Sequence, residues 1–367
     1  MLSSGLYSNK IAAVLREIGC NAADAHTEAG VPDLPIEVKL PTKLNEQFYI
    51  RDWGPGLSHA QMVGSPSKPG LYLNYFDSTK QDSNTQTGAF GLGCKSPFSY
   101  TDSFVVTSAH AGVKRIYSVY VGEAGVPTIS LMSEAPTESE WPHGISVGFP
   151  VAPSDIWQFA QEAQKVFKWF RIPPRILGGA EIKPVTYSFE APTFAVSNES
   201  AELTVLMGNV HYQVDRAALG IDSYGTNPLT RILNTVYLVI KANIGDVQVT
   251  PSRETLQFDE NTKAYLKRVI NDAGAQLSAE FVKRTEATVK GGWLDVCALK
   301  GKISDLFYSF YNIDELLKHY GLTNKYEGMY RSGHIKVANK DYMAAGGRIS
   351  TLHTPRRGTK QSVTTRQ

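Results

Sequence analysis

Three short stretches in the first hundred residues constrain this chain more than any other feature, because each combines polar or charged side chains with small residues. They are Glu17-Ile-Gly-Cys-Asn21-Ala-Ala-Asp24, Asp52-Trp-Gly54-Pro-Gly56 and Gly88-Ala-Phe-Gly91-Leu92-Gly93-Cys-Lys95-Ser96. Any one of them alone is a weak signal, whereas their order and spacing are much harder to produce by chance. A fold that uses all three must bring a helix, a strand end and a glycine-rich loop to one place.

Hydrophobic spacing predicts the elements that hold these stretches. Residues 9–25 carry apolar side chains at the i, i+3, i+4 and i+7 positions of one helical face. Residues 36–40 alternate between apolar and charged side chains, as in a half-buried strand, and residues 47–51 form a second predicted strand that ends at Asp52. Residues 57–87 are rich in Gly, Pro and polar residues and are predicted to form a long mobile loop, which is usually functional.

The rest of the pattern predicts a two-domain α/β organisation. Strands are predicted near residues 104–108, 115–121, 128–132 and 145–151, then a helix to about residue 170, strands near 202–206, 210–214, 235–241 and 246–250, and a helix at 260–286. We place the domain boundary at Pro173-Pro174, which stops a helix. The predicted domains are residues 1–172 with a lid at 57–95, residues 173–330, and a disordered basic tail at 331–367.

Composition excludes several classes of protein. At 367 residues the chain is too long for one compact domain, and 42% hydrophobic with 20% charged residues is a soluble globular composition. A net charge of +2 gives no field that favours nucleic acid or an anionic membrane, and no apolar run is long enough to span a bilayer. The three widely separated cysteines favour neither a disulfide framework nor a zinc site, which points to a reducing cytosol.

The first stretch places Glu17, Asn21 and Asp24 at positions i, i+4 and i+7 of the predicted helix, where they form one polar stripe. On an isolated helix, such a stripe is most simply a solvent-facing surface. The alternative is nucleotide chemistry, in which Glu17 takes a proton from a water that attacks a γ-phosphate and Asn21 offers an oxygen to Mg²⁺. Asp24 is a further candidate cofactor-binding residue with a less defined role.

The second stretch puts the Asp52 carboxylate at a turn after a strand, where Gly54 and Gly56 let the backbone come close to a ligand. An ordinary turn uses the same residue types, so this stretch alone leaves both interpretations open.

The glycine cluster fits neither of two common phosphate loops. Its spacing is opposite to that of the Rossmann motif, and Cys94 separates Gly93 from Lys95 where a Walker A loop needs Gly and Lys adjacent. What remains is a glycine loop before a predicted short helix, whose free amides face phosphate; an exposed surface position is the simplest alternative for Lys95. The candidate cofactor-binding residues here are Gly88, Gly91, Leu92, Gly93, Lys95 and Ser96.

Together the three stretches resemble the N, G1 and G2 boxes of the GHKL ATPase superfamily, which includes gyrase B, Hsp90, histidine kinases and MutL. The resemblance implies a Bergerat-fold domain, with helices on one face of a mixed sheet, followed by a transducer-like (S5-like) α/β domain. It implies ATP and Mg²⁺ as cofactors, with Asp52 accepting the adenine N6 amine and Asn21 ligating the metal. A glutamate at position 17 points to hydrolysis over phosphorelay.

Two later segments also compare with this superfamily. Residues 245–254 resemble the loop after a transducer strand, and Arg253 matches the basic residue that reaches the γ-phosphate from the second domain. The usual Gly-Thr that helps bind adenine is poorly matched by Gly144-Ile145-Ser146, because the Ile145 side chain cannot hydrogen-bond. That contact is lost, shifted to Ser146 or located elsewhere.

Residues 3–10, 65–72 and 91–102 resemble the RIIA proteins of tailed bacteriophages, which act in rapid lysis or lysis inhibition. The resemblance covers roughly the first 260 residues. It implies a phage-encoded protein in the host bacterial cytoplasm, sometimes peripheral at the inner membrane, with an RIIB-like partner.

We therefore predict a slow, Mg²⁺-dependent ATPase that acts as a conformational switch. Lid closure over ATP docks Arg253 on the γ-phosphate and drives homodimerisation, as in related enzymes. One alternative is a nucleotide-gated interaction protein without significant turnover. Another is a DNA-handling ATPase of the topoisomerase or MutL kind, although the small net charge does not indicate a nucleic-acid partner.

Overall fold

The structure is a computed structural model that describes residues 7–65, 68–72, 93–122, 125–199, 202–225, 227–288, 306–307, 313–322, 334–335 and 363–364. Its internal contacts divide the chain into two compact units. The first unit comprises Met1–Val185, Leu206–Tyr212 and Ala242–Gln257, and the second comprises Thr186–Val205, Gln213–Lys241 and Phe258–Gln367. No helix in the described ranges is both long and apolar enough to cross a membrane.

A mixed sheet organises the first unit. In chain order the elements up to residue 177 are α1 Lys10–Glu28, β1 Glu37–Lys39, β2 Gln47–Arg51, α2 His59–Val63, β3 Gly64–Ser65, β4 Lys68–Pro69, a 3₁₀ helix Gly93–Ser99, β5 Ser103–His110, β6 Val113–Val121, β7 Pro127–Pro136, β8 Gly144–Pro150, a 3₁₀ turn Pro153–Asp155, α3 Ile156–Phe167 and β9 Arg175–Leu177. Seven strands form one sheet in the order β7-β6-β5-β8-β2-β1-β9. Its strand pairs are antiparallel except for β1 and β9, which are parallel.

A second sheet and a long helix follow. The later elements are β10 Tyr187–Glu190, β11 Phe194–Ser197, β12 Thr204–Met207, β13 Val210–Gln213, α4 Pro228–Leu233, β14 Leu238–Ala242, β15 Gln248–Val249, β16 Leu256–Gln257, α5 Glu260–Thr288, α6 Ile313–His319, β17 His334–Ile335 and β18 Val363–Thr364. Strands β10 to β14 form a five-stranded sheet in the order β10-β11-β14-β12-β13. Helix α5 begins where Asp259 accepts a hydrogen bond from the Thr262 amide at 2.8 Å, and it buries Leu266, Ile270 and Phe281.

Helix α1 begins at a side-chain cap and buries the apolar face that its spacing predicts. The Asn9 side chain accepts a hydrogen bond from the Ala12 amide at 3.1 Å, which satisfies a donor that the first helical turn leaves open. Ile11, Leu15 and Ile18 are each 5% exposed or less. Because α1 packs against α3, β2 and β8, the first polar stretch is held on a helix that is fixed to the sheet.

The two faces of the large sheet differ because strand side chains alternate. Phe48 and Ile50 on β2 are buried, and the Phe48 ring lies 5.3 Å from that of Phe159 in α3. The intervening Tyr49 lines an open groove of about 450 Å³ on the other face. Burying one phenylalanine side chain stabilises a fold by about 1.5–3 kcal/mol, so this apolar alternation holds the helices on one face.

The predicted fold class is confirmed, since helices pack on one face of a mixed sheet and a second α/β part follows. The predicted strand at 47–51 coincides with β2, and the predicted helix at 260–286 lies within α5. Strand β9 was missed because three residues directly after Pro173-Pro174 are too few to show alternation. It pairs with β1, so the first unit continues past residue 172, where the sequence placed the boundary, to Val185.

The described part of the predicted lid is more regular than expected. Residues 57–72 were predicted to be loop, but Ser58 and Gln61 form a capping box that begins α2. Ser-x-x-Gln is a known helix-start pattern, so this helix was predictable and was overlooked. Residues 73–92, which include Gly88, Gly91 and Leu92, lie outside the described residues.

Gly56 packs where no side chain fits. Its φ is +70°, in the left-handed region, and a Cβ would stand 2.1 Å from the carbonyl oxygen of Ala109 in β5. The loop after β2 therefore lies directly on β5. Internal packing thus gives a reason for glycine at this position that does not involve a ligand.

We expect Gly56→Ala to lower the free energy of unfolding by about 2–5 kcal/mol, because left-handed backbone is costly for alanine and the clash adds to that cost. The measurement is urea unfolding followed by tryptophan fluorescence, since four of the five tryptophans belong to the first unit. Gly30→Ala is the matched control: Gly30 has a φ of +74°, but nothing beyond its chain neighbours lies within 4 Å of where the methyl group would stand. Equal losses in the two variants would show that backbone conformation alone requires Gly56.

Candidate functional site

A buried ion pair joins the first polar stretch to a distant segment of the chain. Glu17 is 3% exposed, Arg253 is 7% exposed, and Arg253 Nη1 donates to Glu17 Oε2 at 2.9 Å. Arg16 Nε donates to the other carboxylate oxygen at 3.3 Å. The structure thus brings together the two residues predicted to be catalytic, which are 236 positions apart.

The segment that carries Arg253 is fastened to the start of α1. Glu254 accepts a hydrogen bond from the Ser8 amide at 3.0 Å, and the Ser252 carbonyl accepts one from Arg16 Nη2 at 3.2 Å. Arg253 has a φ of +55°, a left-handed conformation that costs a non-glycine residue roughly 1–2 kcal/mol. The segment belongs to the first unit, whereas the sequence placed Arg253 in the second domain.

Burial governs the ionisation of the groups around this pair. It raises the pKa of the Cys20 thiol to about 12 and the pKa of the Tyr7 hydroxyl to about 12, so both stay protonated at neutral pH. Burial lowers the pKa of Arg253 and is the largest single influence on it, but the Glu17 carboxylate together with Cys20 and Tyr212 raises the pKa by more in sum, and the net shift is upward. Arg253 is therefore a permanent cation opposite Glu17.

The end of the glycine cluster lies directly against polar side chains of α1. A Cβ at Gly93 would stand 3.0 Å from Asn21 Nδ2 and 3.3 Å from Glu17 Oε2. No side chain fits comfortably between the cluster and the helix, which gives a physical reason for glycine here. Glu17, Asn21 and Gly93 are therefore neighbours in space.

Two polar residues are buried in the 3₁₀ helix that follows. Lys95 is 2% exposed, so it is not the surface lysine that the sequence allowed, and its Nζ lies 3.6 Å from Cys94 Sγ. Ser96 is 1% exposed, and its Oγ has no hydrogen-bond partner among the residues that the structure describes. Leaving a buried hydroxyl unpaired costs about 1–3 kcal/mol, so a ligand oxygen at Ser96 would recover that energy.

Asp52 ends β2 with its carboxylate fixed by two backbone amides. Its Oδ1 accepts hydrogen bonds from Gly54 N at 2.8 Å and from Ile145 N at 3.0 Å, and the residue is 5% exposed. A Cβ at Gly54 would stand 2.5 Å from the Cβ of Ala25 in α1. Contact with α1 thus accounts for Gly54, and a ligand contact at Gly54 or Gly56 stays a prediction.

Two aromatic side chains from the segment between β7 and β8 hold the backbone beside Asp52. Trp141 Nε1 donates to the Asp52 carbonyl at 2.8 Å. His143 Nδ1 donates to the Gly54 carbonyl at 2.8 Å. The loop of residues 52–54 is therefore hydrogen-bonded on both sides of Trp53.

A third side chain, from α1, holds Trp53 itself. His26 is 1% exposed, and its Nε2 accepts a hydrogen bond from the Trp53 amide at 2.8 Å. Its Nδ1 lies 2.8 Å from the Leu34 carbonyl oxygen, which can only accept, so Nδ1 carries the proton. We call His26, Trp141 and His143 the collar of the Asp52 loop.

Asp24 lies near the collar. With His26, Leu34 and Arg171 it lines a cavity of about 70 Å³ in the first unit. Asp24 lies about one turn after Asn21 on α1, close to the C-terminal part of the helix, and this part contacts the Asp52 loop. A cofactor-binding role for Asp24 stays a prediction.

The segment Gly144-Ile145-Ser146 contributes through its backbone. Ile145 N donates to Asp52 Oδ1, the Ile145 carbonyl accepts from Asp52 N at 2.9 Å, and a Cβ at Gly144 would stand 2.1 Å from the Asp52 carbonyl oxygen. Ser146 lines the open groove on the sheet face that carries Thr107. Strand alternation therefore points the Ser146 hydroxyl away from the face that packs on α1, which favours the other two alternatives, a lost contact or one located elsewhere.

The collar is the part of the site that sequence reasoning missed. A signal existed for His26, which stands four residues after Ala22 on the apolar face of α1, because a polar group on a buried face needs a partner. Trp141 and His143 lie in an irregular segment without periodicity, and no pattern marks them.

Comparison with known proteins gives partial likenesses. No protein-family model matches the chain. The chain is similar to chaperone protein HtpG of Rickettsia typhi, with 30% identity over 135 residues, and to chaperone protein HtpG of Rickettsia canadensis, with 31% identity over 134 residues. Each match covers 32% of this chain and 21% of the relative, so the chain spans about a fifth of the length of these curated relatives.

Two solved structures match this chain at low sequence identity. The ATPase region of Saccharomyces cerevisiae topoisomerase II matches with a TM-score of 0.44 and 13% identity, covering 70% of this chain and 82% of that one. The ATPase and transducer domains of DNA topoisomerase II from Balamuthia mandrillaris match with a TM-score of 0.45 and 15% identity, covering 71% and 83%. Likenesses of this size do not establish a function.

We expect Arg253→Met to lower the free energy of unfolding by about 3 kcal/mol, because it leaves the buried Glu17 carboxylate with only Arg16. Adding Glu17→Gln should recover most of that loss, since no uncompensated charge then remains, and urea unfolding of the double-mutant cycle gives the coupling. The control Arg115→Met breaks an exposed pair with Glu134 at 2.7 Å and should cost less than about 1 kcal/mol. An Arg253→Met loss no larger than that of the control would mean that the Glu17 charge is solvated.

Proposed function

We propose that this chain is a GHKL-type protein that binds ATP with Mg²⁺, hydrolyses it slowly and acts as a conformational switch. One observation carries the proposal. Polar side chains of α1 meet the glycine cluster at Gly93, and further along the same helix Ala25 and His26 meet the loop that holds Asp52. A site with a polar, glycine-lined end and a carboxylate end suits a ligand with phosphates at one end and a hydrogen-bonding base at the other.

The length of α1 between these contacts supports a nucleoside triphosphate as that ligand. Ala25 stands eight positions after Glu17 on α1. At about 1.5 Å per residue, the helix rises roughly 12 Å between them. An extended nucleotide with its base at Asp52 and its terminal phosphate at Gly93 needs a span of this order.

At the base end, Asp52 accepts the exocyclic amine of adenine, as the resemblance to the GHKL boxes implies. Its carboxylate is already oriented by the amides of Gly54 and Ile145, so little ordering is needed on binding. This orientation is a reason to prefer a recognition role over an ordinary turn.

The residues at the other end fit phosphate and a hard cation. In this proposal the Asn21 side-chain oxygen would hold Mg²⁺, and the ion would supply positive charge against the phosphates. Gly93 keeps the backbone close to Asn21, and the Ser96 hydroxyl, which has no hydrogen-bond partner among the described residues, can donate to a phosphate oxygen. Lys95 adds a buried ammonium group in the same helix.

Glu17 is the general base in this proposal, and its carboxylate is not free to take a proton while Arg253 is hydrogen-bonded to it. A phosphate group competes for the same guanidinium, which binds it with two parallel hydrogen bonds. ATP therefore draws Arg253 from Glu17 to the γ-phosphate and frees the carboxylate to act on water. Breaking a buried ion pair opposes this step, which supports slow turnover.

The same pair favours a second candidate function, a nucleotide-gated interaction protein without significant turnover. If Arg253 stays on Glu17 after ATP binds, no base is available. Ile145 at the Gly-Thr position also removes a side-chain hydroxyl from the base end. The two candidates differ in one observable, which is release of phosphate.

Finer assignments rest on the sequence resemblance alone. The RIIA-like stretches support a phage protein of lysis control or phage exclusion in the host cytoplasm, peripheral at the inner membrane, with an RIIB-like partner. ATP-driven homodimerisation and closure of the lid over nucleotide belong to the same proposal. A topoisomerase- or MutL-like role would require salt-dependent DNA binding.

We expect Glu17→Gln to bind ATP at least as tightly as the wild type, because no ion pair with Arg253 then has to be broken, and to lower the turnover number by at least about a hundredfold, because a carboxamide cannot take the proton from water. Phosphate release and calorimetric ATP binding, both with Mg²⁺, measure the two effects. Full turnover in the variant would remove Glu17 as the base. Binding without turnover in the wild type would support the interaction protein.

We expect Asp52→Asn to weaken ATP binding by at least about tenfold, because the amide NH₂ would face the adenine amine where a carboxylate oxygen accepts it. Asparagine keeps an oxygen for the Gly54 and Ile145 amides, so the free energy of unfolding should change by less than about 1 kcal/mol. Calorimetric titration with ATP measures the affinity, and urea unfolding is the control. Unchanged affinity would show that Asp52 is only a turn residue.

A further inference from the structure

We propose that His26 is a positioning residue that makes the base end of the site sensitive to pH: the neutral ring holds the Asp52 loop, and the protonated ring releases it. The inference rests on the proposed nucleotide site and adds a form of regulation to it. His26 touches neither nucleotide nor metal in this proposal, and it acts through the backbone of Trp53.

The two hydrogen bonds of His26 require one tautomer. The Leu34 carbonyl needs a proton on Nδ1, and the Trp53 amide needs a lone pair on Nε2. Both contacts are 2.8 Å long, so both are well formed. An imidazolium ring carries a proton on each nitrogen and has no lone pair left, so protonation turns the contact with Trp53 into a clash of two donors.

Movement at Trp53 reaches Asp52 over one peptide bond. The next amide, that of Gly54, is one of the two donors that orient Asp52 Oδ1. Gly54 also packs on Ala25, the helical neighbour of His26, with no space for a Cβ between them. A displaced Trp53 amide therefore disturbs both the position and the orientation of the Asp52 carboxylate.

The surroundings of His26 define the pH range. Asp24 on α1 and Arg171 after α3 line the same cavity, and Arg171 pairs with Asp33 at 2.8 Å. The Trp53 ring lies 6.2 Å away. Burial lowers the pKa of His26, and the hydrogen bond to Leu34 raises it by less. The folded pKa thus lies below the unfolded one of about 6.5, so stabilisation of the loop is complete above that pH and is lost as the pH falls below it.

His143 provides an internal contrast. Its Nδ1 donates to the Gly54 carbonyl, and an imidazolium ring donates at that nitrogen equally well. Loss of His143 should therefore weaken binding without changing its pH dependence. The two histidines hold two peptide groups of one loop, those that join residues 52 and 53 and residues 54 and 55, and only His26 holds its group as an acceptor.

The test is calorimetric ATP binding with Mg²⁺ between about pH 8 and about pH 5.5 for wild type, His26→Gln, His26→Leu and His143→Gln. Protonation of ATP affects all four alike, so each affinity is taken relative to His26→Gln at the same pH. Glutamine offers Trp53 an oxygen at every pH. We expect wild-type affinity to fall about tenfold relative to His26→Gln across this range, and His26→Leu to be about tenfold weaker than wild type at the upper end. A wild-type affinity that keeps a constant ratio to His26→Gln would overturn the proposal.

A second measurement separates failure of this proposal from failure of the nucleotide site. Hydrogen exchange of the Trp53 amide, followed without nucleotide, should be slow in wild type at about pH 8 and faster in His26→Leu, with circular dichroism as the check on folding. A protection factor of the Trp53 amide, corrected for the intrinsic pH dependence of exchange, that falls at low pH together with no ATP binding at any pH would refute the nucleotide site and leave the pH-dependent loop standing. Equal exchange in wild type and His26→Leu would overturn the role of His26 itself.

Discussion

The close packing of α1 against its neighbours is the constraint on which the rest of the site depends. A Cβ at Gly19 would stand 2.8 Å from the Phe167 ring, so α1 and α3 approach as closely as a glycine allows. Gly54 and Gly93 remove side chains from two further contacts with the same helix. Because glycine adds no side chain at these contacts, packing in the core fixes the distances between functional groups, and a shift of α1 would move both ends of the site together.

Local patterns in the sequence carry part of this arrangement and could be predicted. The spacing of apolar residues predicted α1, and the segment of residues 47–51 that ends at Asp52 was predicted as the strand that the structure shows as β2. Alternation along β8 also fixes which way Ser146 points once Val147 and Phe149 are taken as core, so this result was within reach of the sequence. Strand β9 could not be predicted from the sequence, because three residues are too few to show an alternating pattern.

Contacts between distant residues account for what the sequence could not show. Arg253 and Glu17 meet although nothing in either local pattern specifies a partner, and the resemblance to related enzymes placed Arg253 in another domain. The collar also depends on contacts between distant residues. The sequence shows His26 as a polar residue on an apolar helix face, but its role as a hydrogen-bond acceptor follows only from the position of the Trp53 amide. Hydrogen-bond roles are set by geometry, and residue type alone does not give them.

The two ends of the site are held by different forces, and this difference decides how the molecule can respond to a nucleotide. Hydrogen bonds between the backbone and the side chains of His26, Trp141 and His143 hold the Asp52 loop. A buried charge pair holds Glu17 and Arg253, and a phosphate competes directly for its cation. Because the base end is already ordered, binding free energy gained there is not consumed in fixing the loop and can offset the cost of separating the ion pair. The ordered end recognises the base, and at the charged end Arg253 exchanges Glu17 for a phosphate. Together these two properties allow the binding site to act as a switch.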